Sequence, residues 1–500
     1  MRMNDTSVPE RLSTGITGLD HILKGGFPTN RLHLIEGNPG TGKTTLALQF
    51  LLEGVRLGEK GLYVTLSESR EELMAVAASH GWSLADIVVQ DLTDSGESLT
   101  NNSRYTVFHP AEVELDETTR AVLDEVERIN PVRVVFDSLS EMRMLASDPL
   151  RFRRQILALK QYFLTRNCTV LLLDDRTSKA ADRQLESIAH GVLNLEYVPV
   201  EYGRQRHSIR VVKMRGVNFR SGFHDFNIET GGIIVFPRLS SQKTVDFTPG
   251  TLGSGQSNVD GLMGGLSYGT STILLGPAGV GKSTLAMMYA CAAVERGERA
   301  AAYLFDEGPE TLYQRTAALG LDLKKHVDSG QITLRQIQLA ELTPGELSYM
   351  ISREVEDRGT RVVIIDSVNG YMMATPQEKF LTMQFHELLT YLNHNGVISI
   401  LVVGQYGMVG AMHTPIDMSY LADSVVLLRY FETRGTVRQA ISVLKKRTGH
   451  HERTIREFKL GPGGLQLGEP LTEFQGLLTG VPTYIGTASS LMTNGEDNGK

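Results

Sequence analysis

The chain has 500 residues, 41% of them hydrophobic and 21% charged, the composition of a globular protein whose length suggests two to four domains. Its 50 lysines and arginines stand against 57 aspartates and glutamates, a net charge of -7, which excludes an overall basic nucleic-acid footprint and argues against nucleic acid as a partner. No run approaches the ~18 apolar residues of a membrane helix, the polar start lacks the apolar core of a signal peptide, and Cys168 and Cys291 have no pairing or metal-ligand spacing, so a cytoplasmic protein with buried, reduced thiols and no membrane association is expected.

In chain order, the first informative stretch is Thr14-Gly-Ile-Thr-Gly-Leu-Asp20. A strand-like run, Arg31-Leu-His-Leu-Ile35, then leads into Gly37-Asn-Pro-Gly-Thr-Gly-Lys-Thr-Thr45, and an apolar helix follows over 46–52. Strand, glycine-rich loop and helix are the context that a phosphate-binding loop requires. Gly40, Thr41 and Gly42 turn backbone N–H groups towards phosphate oxygens, Lys43 reaches the β/γ-phosphates, Thr44 is a metal ligand and Thr45 follows at the positive end of the helix. The strand 61–66 ends at Ser67-Glu68, and Glu68 is a candidate to polarise an attacking water. Val132-Arg-Val-Val-Phe-Asp137 ends a β-branched run on a carboxylate. Alone, Asp137 reads better as an acidic N-cap; beside a phosphate loop it takes the Walker B role of holding a metal ion. Lys213, Met214 and Arg215 end a late strand.

All of this then recurs. After a polar boundary near 240–250, Ser254-Gly-Gln-Ser-Asn-Val-Asp260 echoes the first stretch. The run 271–275 leads into Gly276-Pro-Ala-Gly-Val-Gly-Lys-Ser-Thr284 and an apolar helix from Leu285. Here Gly279, Val280, Gly281, Lys282, Ser283 and Thr284 form the cradle, with Lys282 on phosphate and Ser283 on the metal. Asp306 and Glu307 follow the strand 300–305, with Glu307 a candidate base and Asp306 a base or metal ligand. Asp366 ends the apolar run 361–365, and Lys445, Lys446 and Arg447 end a late strand. Lys43 and Lys282 lie 239 positions apart, as do Glu68 and Glu307. Order and spacing together mean a tandem duplication. Strands alternating with helices make each copy a mostly parallel sheet flanked by helices. The expected α/β architecture is a domain over 1–245, a second over 246–485, and a disordered tail over 486–500 rich in Ser, Thr, Asn and Gly. The late cations are far in sequence from their own copy's lysine, so they are expected to serve a nucleotide at a neighbouring subunit, as arginine fingers do in trans. His450 and His451 have no partner ligands at zinc spacing, and His451 is read as a surface or nucleotide-edge group.

The repeated loops, Ser79-His-Gly-Trp82, Lys213-Met-Arg-Gly216, Asp423-Ser-Val-Val-Leu-Leu-Arg-Tyr-Phe-Glu-Thr-Arg-Gly435, Lys445-Lys-Arg447 and Ile455-Arg-Glu-Phe458 resemble the KaiC family of two-domain RecA-like ATPases and autokinases over roughly 12–485. The resemblance implies a homohexameric double ring with ATP and Mg²⁺ between subunits. It implies ATP hydrolysis in the first tier, Ser/Thr autophosphorylation in the second, and partners of the KaiB type or other signalling proteins. It also adds Ser79 and Arg434 to the nucleotide-binding set. Counting back from Asp423, the family's acceptor pair falls on Ser419 and Tyr420, which makes Ser419 the expected phosphoacceptor, with Thr414 able to relay phosphate. The family's tandem glutamates read Ser67-Glu68 and Asp306-Glu307. Second-tier chemistry is therefore expected to be the better preserved, with first-tier hydrolysis falling to Glu68. Two other readings share the core: a RecA/RadA-like DNA-dependent ATPase, and a nucleotide-gated assembly scaffold with little catalysis.

Overall fold

A computed structural model describes residues 10–93, 110–146, 148–175, 182–198, 203–239, 246–338, 341–373, 378–405, 420–433, 435–462, 464–478 and 483–485. Thr414, Ser419, Arg434 and the segment 486–500 lie outside the described residues. The chain forms two compact units, Met1–Arg238 and Leu239–Lys500.

Each unit is built on one sheet, nine-stranded among the described residues. In the first the order is Gly232–Phe236, His224–Glu229, Arg206–Met214, Gly191–Val198, Leu32–Gly37, Thr169–Asp175, Arg133–Asp137, Gly61–Thr65 and Ile87–Asp91. The last six run parallel and the first three antiparallel. In the second unit the order is Gly464–Pro470, Arg456–Gly461, Thr436–Lys446, Ser424–Thr433, Ser271–Gly276, Ile398–Gly404, Thr360–Asp366, Arg299–Leu304 and Ile332–Gln336. The two orders match strand for strand, as a duplication requires.

The central parallel strands are buried almost throughout because both faces are covered. Side chains alternate between faces: Val135 joins one core cluster and its neighbours Val134 and Phe136 join the other. Likewise Ile364 packs on one side of the second sheet, and Val363 and Ile365 on the other. Helix Lys43–Arg56 lies over the first sheet with one buried stripe, whereas Lys282–Glu295 is buried at every position from Thr284 to Val294. Cys168 and Cys291 are buried free thiols, and burial pushes them up to about 11 and about 12.

One buried charge tethers the first unit. Arg133, at the start of its strand, is fully buried. It donates to Glu59 Oε2 at 2.6 Å and to the carbonyls of Ser13 and Phe50 at 2.7 and 2.8 Å, and its guanidinium stacks over the Phe50 ring at 4.6 Å. Gly54 makes room for it, since a Cβ there would meet Arg133 Cδ at 2.6 Å. Removing one partner of a buried ion pair strands the other. Arg133→Ala is therefore expected to destabilise the first unit by roughly 3 kcal/mol. The measurement is chemical denaturation, where the first unit's transition should move to lower denaturant and the second unit's should stay.

Candidate nucleotide sites

Parallel register brings the functional side chains of each copy to the carboxyl ends of the strands, where ligands bind in open α/β sheets. In the first copy Gly37 pairs with Asp175, and Thr65 with Asp137. The loop 37–42 crosses this edge, and Gly40 and Gly42 adopt φ of 80° and 90°, a region that favours glycine. Helix Lys43–Arg56 starts directly at the lysine with Gly42 as its N-cap, so its free N–H groups face the loop.

The ammonium of Lys43 donates to the carbonyls of Gly37 and Asn38 at 2.9 and 3.1 Å and pairs with Asp175 at 2.7 Å. Thr44 Oγ1 donates to Asp137 Oδ2 at 3.2 Å, and the Tyr63 hydroxyl donates to the same oxygen at 2.5 Å. Burial raises the Asp137 carboxyl, offset in part by the hydrogen bonds from Tyr63 and Thr44. The hydroxyl and carboxylate form a hard oxygen donor pair of the kind a divalent ion uses when phosphates and waters complete its shell.

Glu68 sits beside this pair. The Thr65 hydroxyl pins its main chain, accepting from Glu68 N–H at 3.1 Å and donating to its carbonyl at 2.6 Å. A capping box between Ser69 and Glu72 then starts the next helix. The side-chain Oε2 of Glu68 is buried with no hydrogen-bond partner among the described residues. Burial first, then the Asp137 charge, raises its carboxyl above the usual range. A half-buried carboxylate whose oxygen has no partner among the described residues, at a phosphate site, suits a water-polarising base. Ser67 lacks a carboxylate, yet the site does not lack one.

The second copy repeats the frame with different fittings. Gly279 and Gly281 take φ of 76° and 107°, and the Lys282 ammonium donates to the carbonyls of Gly276 and Pro277 at 2.9 and 2.6 Å. Gly276 pairs in register with Gly404, so no acid stands where Asp175 stands in the first copy. Among the described residues Lys282 has no carboxylate at ion-pair distance, and burial lowers it to about 8 against a smaller upward pull from Asp366. Ser283 is hydrogen-bonded to Asp366, whose carboxyl burial raises. Asp306 Oδ2 accepts from Ser367 Oγ at 2.5 Å, and Glu307 is ion-paired with Arg315 at 2.8 Å. Val280 and Thr284 are buried under the loop, as Thr41 and Thr45 are in the first copy.

The late cations lie elsewhere. Met214 pairs with Gly191, which pairs with His33 near the start of the loop strand; Lys446 pairs with Ser424, which pairs with Thr272. Lys213, Arg215, Lys445, Lys446 and Arg447 are thus at the opposite end of the sheet from their own copy's phosphate loop. Lys213 donates to the Glu186 carbonyl, Arg215 to Ser187 at 2.6 Å, Lys445 to Ala422 at 2.8 Å, and Lys446 to Met263 and Gly265 at 2.6 and 2.8 Å. Arg447 approaches Asp423 at 3.4 Å. Ser79 ends the helix after Glu68 and bonds the Val76 carbonyl at 2.7 Å. Burial and the neighbouring cations Arg453 and Lys446 lower His451.

Sequence reasoning missed Tyr63, Asp175 and Arg315. Asp175 carries a visible signal, as an acid ending an apolar strand like Asp137. Tyr63 and Arg315 carry none in one copy alone. Comparing the copies exposes them: Ala302 stands two residues before the strand tip where Tyr63 stands, and Val76 lies eight residues past Glu68 where Arg315 lies eight past Glu307.

Among the described residues no helix is long and apolar enough to cross a membrane, and no three His, Cys, Asp or Glu side chains converge as a metal cluster. The KaiC ATPase family model matches residues 12–240 and again 253–472. The circadian clock protein KaiC3 of Synechocystis sp. is 27% identical over 497 residues, covering 96% of this chain and 96% of that protein. The circadian clock oscillator protein KaiC of Picosynechococcus sp. is 27% identical over 487 residues, covering 95% and 93%. The circadian clock protein KaiC2 of Synechocystis sp. is 27% identical over 475 residues, covering 94% and 83%. With both repeats matched, each around its own phosphate loop, this chain belongs to the KaiC family of ATPases.

Proposed function

We propose that both copies bind Mg-ATP, that the first hydrolyses it, and that the second transfers its γ-phosphate to Ser419. The observation that carries this reading is the pairing of loop lysine, helix hydroxyl and strand-tip carboxylate in both copies, Lys43–Thr44–Asp137 and Lys282–Ser283–Asp366. Backbone N–H groups of the two loops bind the phosphates, and the lysines hold the β/γ end. Mg²⁺ at Thr44 and Asp137, and at Ser283 and Asp366, would neutralise charge that develops on the transferring group. In the first copy Glu68 orients a water and takes its proton as oxygen bonds to phosphorus and the bond to ADP breaks. In the second copy the Ser419 hydroxyl oxygen bonds to the γ-phosphorus, its proton passes to Asp306, and ADP leaves.

The chain assembles, in this proposal, as a homohexameric double ring with nucleotides between subunits. The cations at 213–215 and 445–447 support that geometry, because they lie at the end of the sheet away from their own loops. The test is native mass spectrometry with and without ATP, followed by phosphopeptide mapping after incubation with Mg-ATP. Hexamers with phosphate at Ser419 are expected. Hexamers with turnover but no phosphate on the peptide spanning 414–420 would remove the kinase half and leave the ATPase.

A further inference from the structure

The two copies treat their equivalent glutamates in opposite ways. Glu68 has a buried carboxylate oxygen without a hydrogen-bond partner among the described residues. Glu307 is held by Arg315 at 2.8 Å. Arg315 lies on helix Pro309–Ala318, which leaves the same strand tip that carries Asp306 and Glu307. Its charge also acts on Asp366 at the next strand tip. The matching helix of the first copy, Arg70–Ser79, has Val76 at that position.

We propose that Arg315 is a positioning residue that occupies Glu307 and so suppresses attack by water in the second copy, leaving its γ-phosphate for a protein hydroxyl. An autokinase site gains from this, since water at ~55 M competes with any acceptor unless nothing activates it. The guanidinium stands 2.8 Å from Oε2 of Glu307 and so takes up the side of the carboxylate where an attacking water would otherwise be oriented. In the first copy valine makes no such claim, and Oε2 of Glu68 has no hydrogen-bond partner among the described residues. One duplicated fold then performs hydrolysis in one half and protects its phosphoryl donor in the other, through a single side chain. This inference rests on the second copy using ATP, as proposed above.

The experiment uses the full chain in an Glu68→Gln background, where the first copy keeps its nucleotide and loses its base. Phosphate release is measured for that variant and with added Arg315→Val, Arg315→Lys, Arg315→Val plus Glu307→Gln, and Lys282→Ala. Arg315→Val is expected to raise kcat about tenfold with little change in KM. Arg315→Lys should keep the low rate, and Glu307→Gln should cancel the gain. A rate unchanged or lowered by Arg315→Val, or a gain that survives Glu307→Gln, overturns the inference. Residual turnover that Lys282→Ala does not remove shows that the second copy is not its source, and then the reading of that copy fails too. Binding of a fluorescent ADP analogue to each variant separates a lost fold from a changed rate, and the Arg315→Lys arm stands even where valine is not tolerated.

Discussion

Lys282→Ala is expected to lower nucleotide chemistry in the second copy by about 10²–10³-fold, the range seen when one preorganised donor to developing charge is removed. Lys282 is the cation of that phosphate cradle. It is buried, it is bonded to two loop carbonyls, and no carboxylate neutralises it at close range among the described residues. Burial brings it down to about 8, so it enters the binding step as a desolvated ammonium without an internal counter-ion, and phosphate supplies one. Alanine removes both the charge and the stem that fills the loop. Lys43→Ala should behave differently, because Asp175 pairs with Lys43 at 2.7 Å and would lose that cation's charge beside the phosphates, adding repulsion to the loss. Phosphopeptide mapping reads the second copy, and phosphate release read in the Glu68→Gln background follows the same site. Wild-type phosphorylation by the Lys282→Ala chain would sink the assignment of this loop as the phosphate donor.

Glu68→Gln is expected to lower first-copy hydrolysis by about 10²-fold or more while nucleotide stays bound, since glutamine keeps the shape and loses the base. The pH dependence follows from the direction of its shift. Burial and the Asp137 charge raise the Glu68 carboxyl above the usual value. A base must be deprotonated, so hydrolysis should be full above the raised pKa and fall as pH drops through it, at higher pH than an ordinary glutamate would allow. The measurement is a pH profile of phosphate release from the Lys282→Ala chain, in which turnover comes from the first copy. Its acid limb should disappear, with most of the rate, in Lys282→Ala plus Glu68→Gln. An acid limb that persists would assign that titration to another group, and Asp137, also raised, is the next to substitute.

The frame of each site was legible in the chain because it is local. A phosphate loop spans nine residues between a strand and a helix, and a Walker B aspartate is the last residue of an apolar run. Both follow from backbone geometry that short sequence spans dictate, and duplication let each copy check the other. Three residues were not legible: Tyr63, Asp175 and Arg315. Tyr63 and Asp175 reach their partners from strands 74 and 132 positions away in sequence, and such contacts depend on strand order. Arg315 is only eight residues from Glu307, but whether its side chain turns to the glutamate depends on how the helix leaves the strand.

The sequence by itself determined that the protein is two copies of one nucleotide-binding α/β domain, because periodicity, glycine positions and strand-tip acids are properties of neighbours in the chain. It also contained the departures at Ser67, Asp306 and Tyr420, and from the first two the second copy was expected to be the better preserved. Only the tertiary structure decided how each site is charged. It put a buried oxygen of Glu68, without a hydrogen-bond partner among the described residues, beside Asp137, set Asp175 against Lys43 where the second copy has Gly404, and joined Glu307 to Arg315. Identical frames therefore carry different electrostatics, since the strength of a base or a cation depends on burial and on which charges lie within a few ångströms, and those distances exist only once the sheet is assembled.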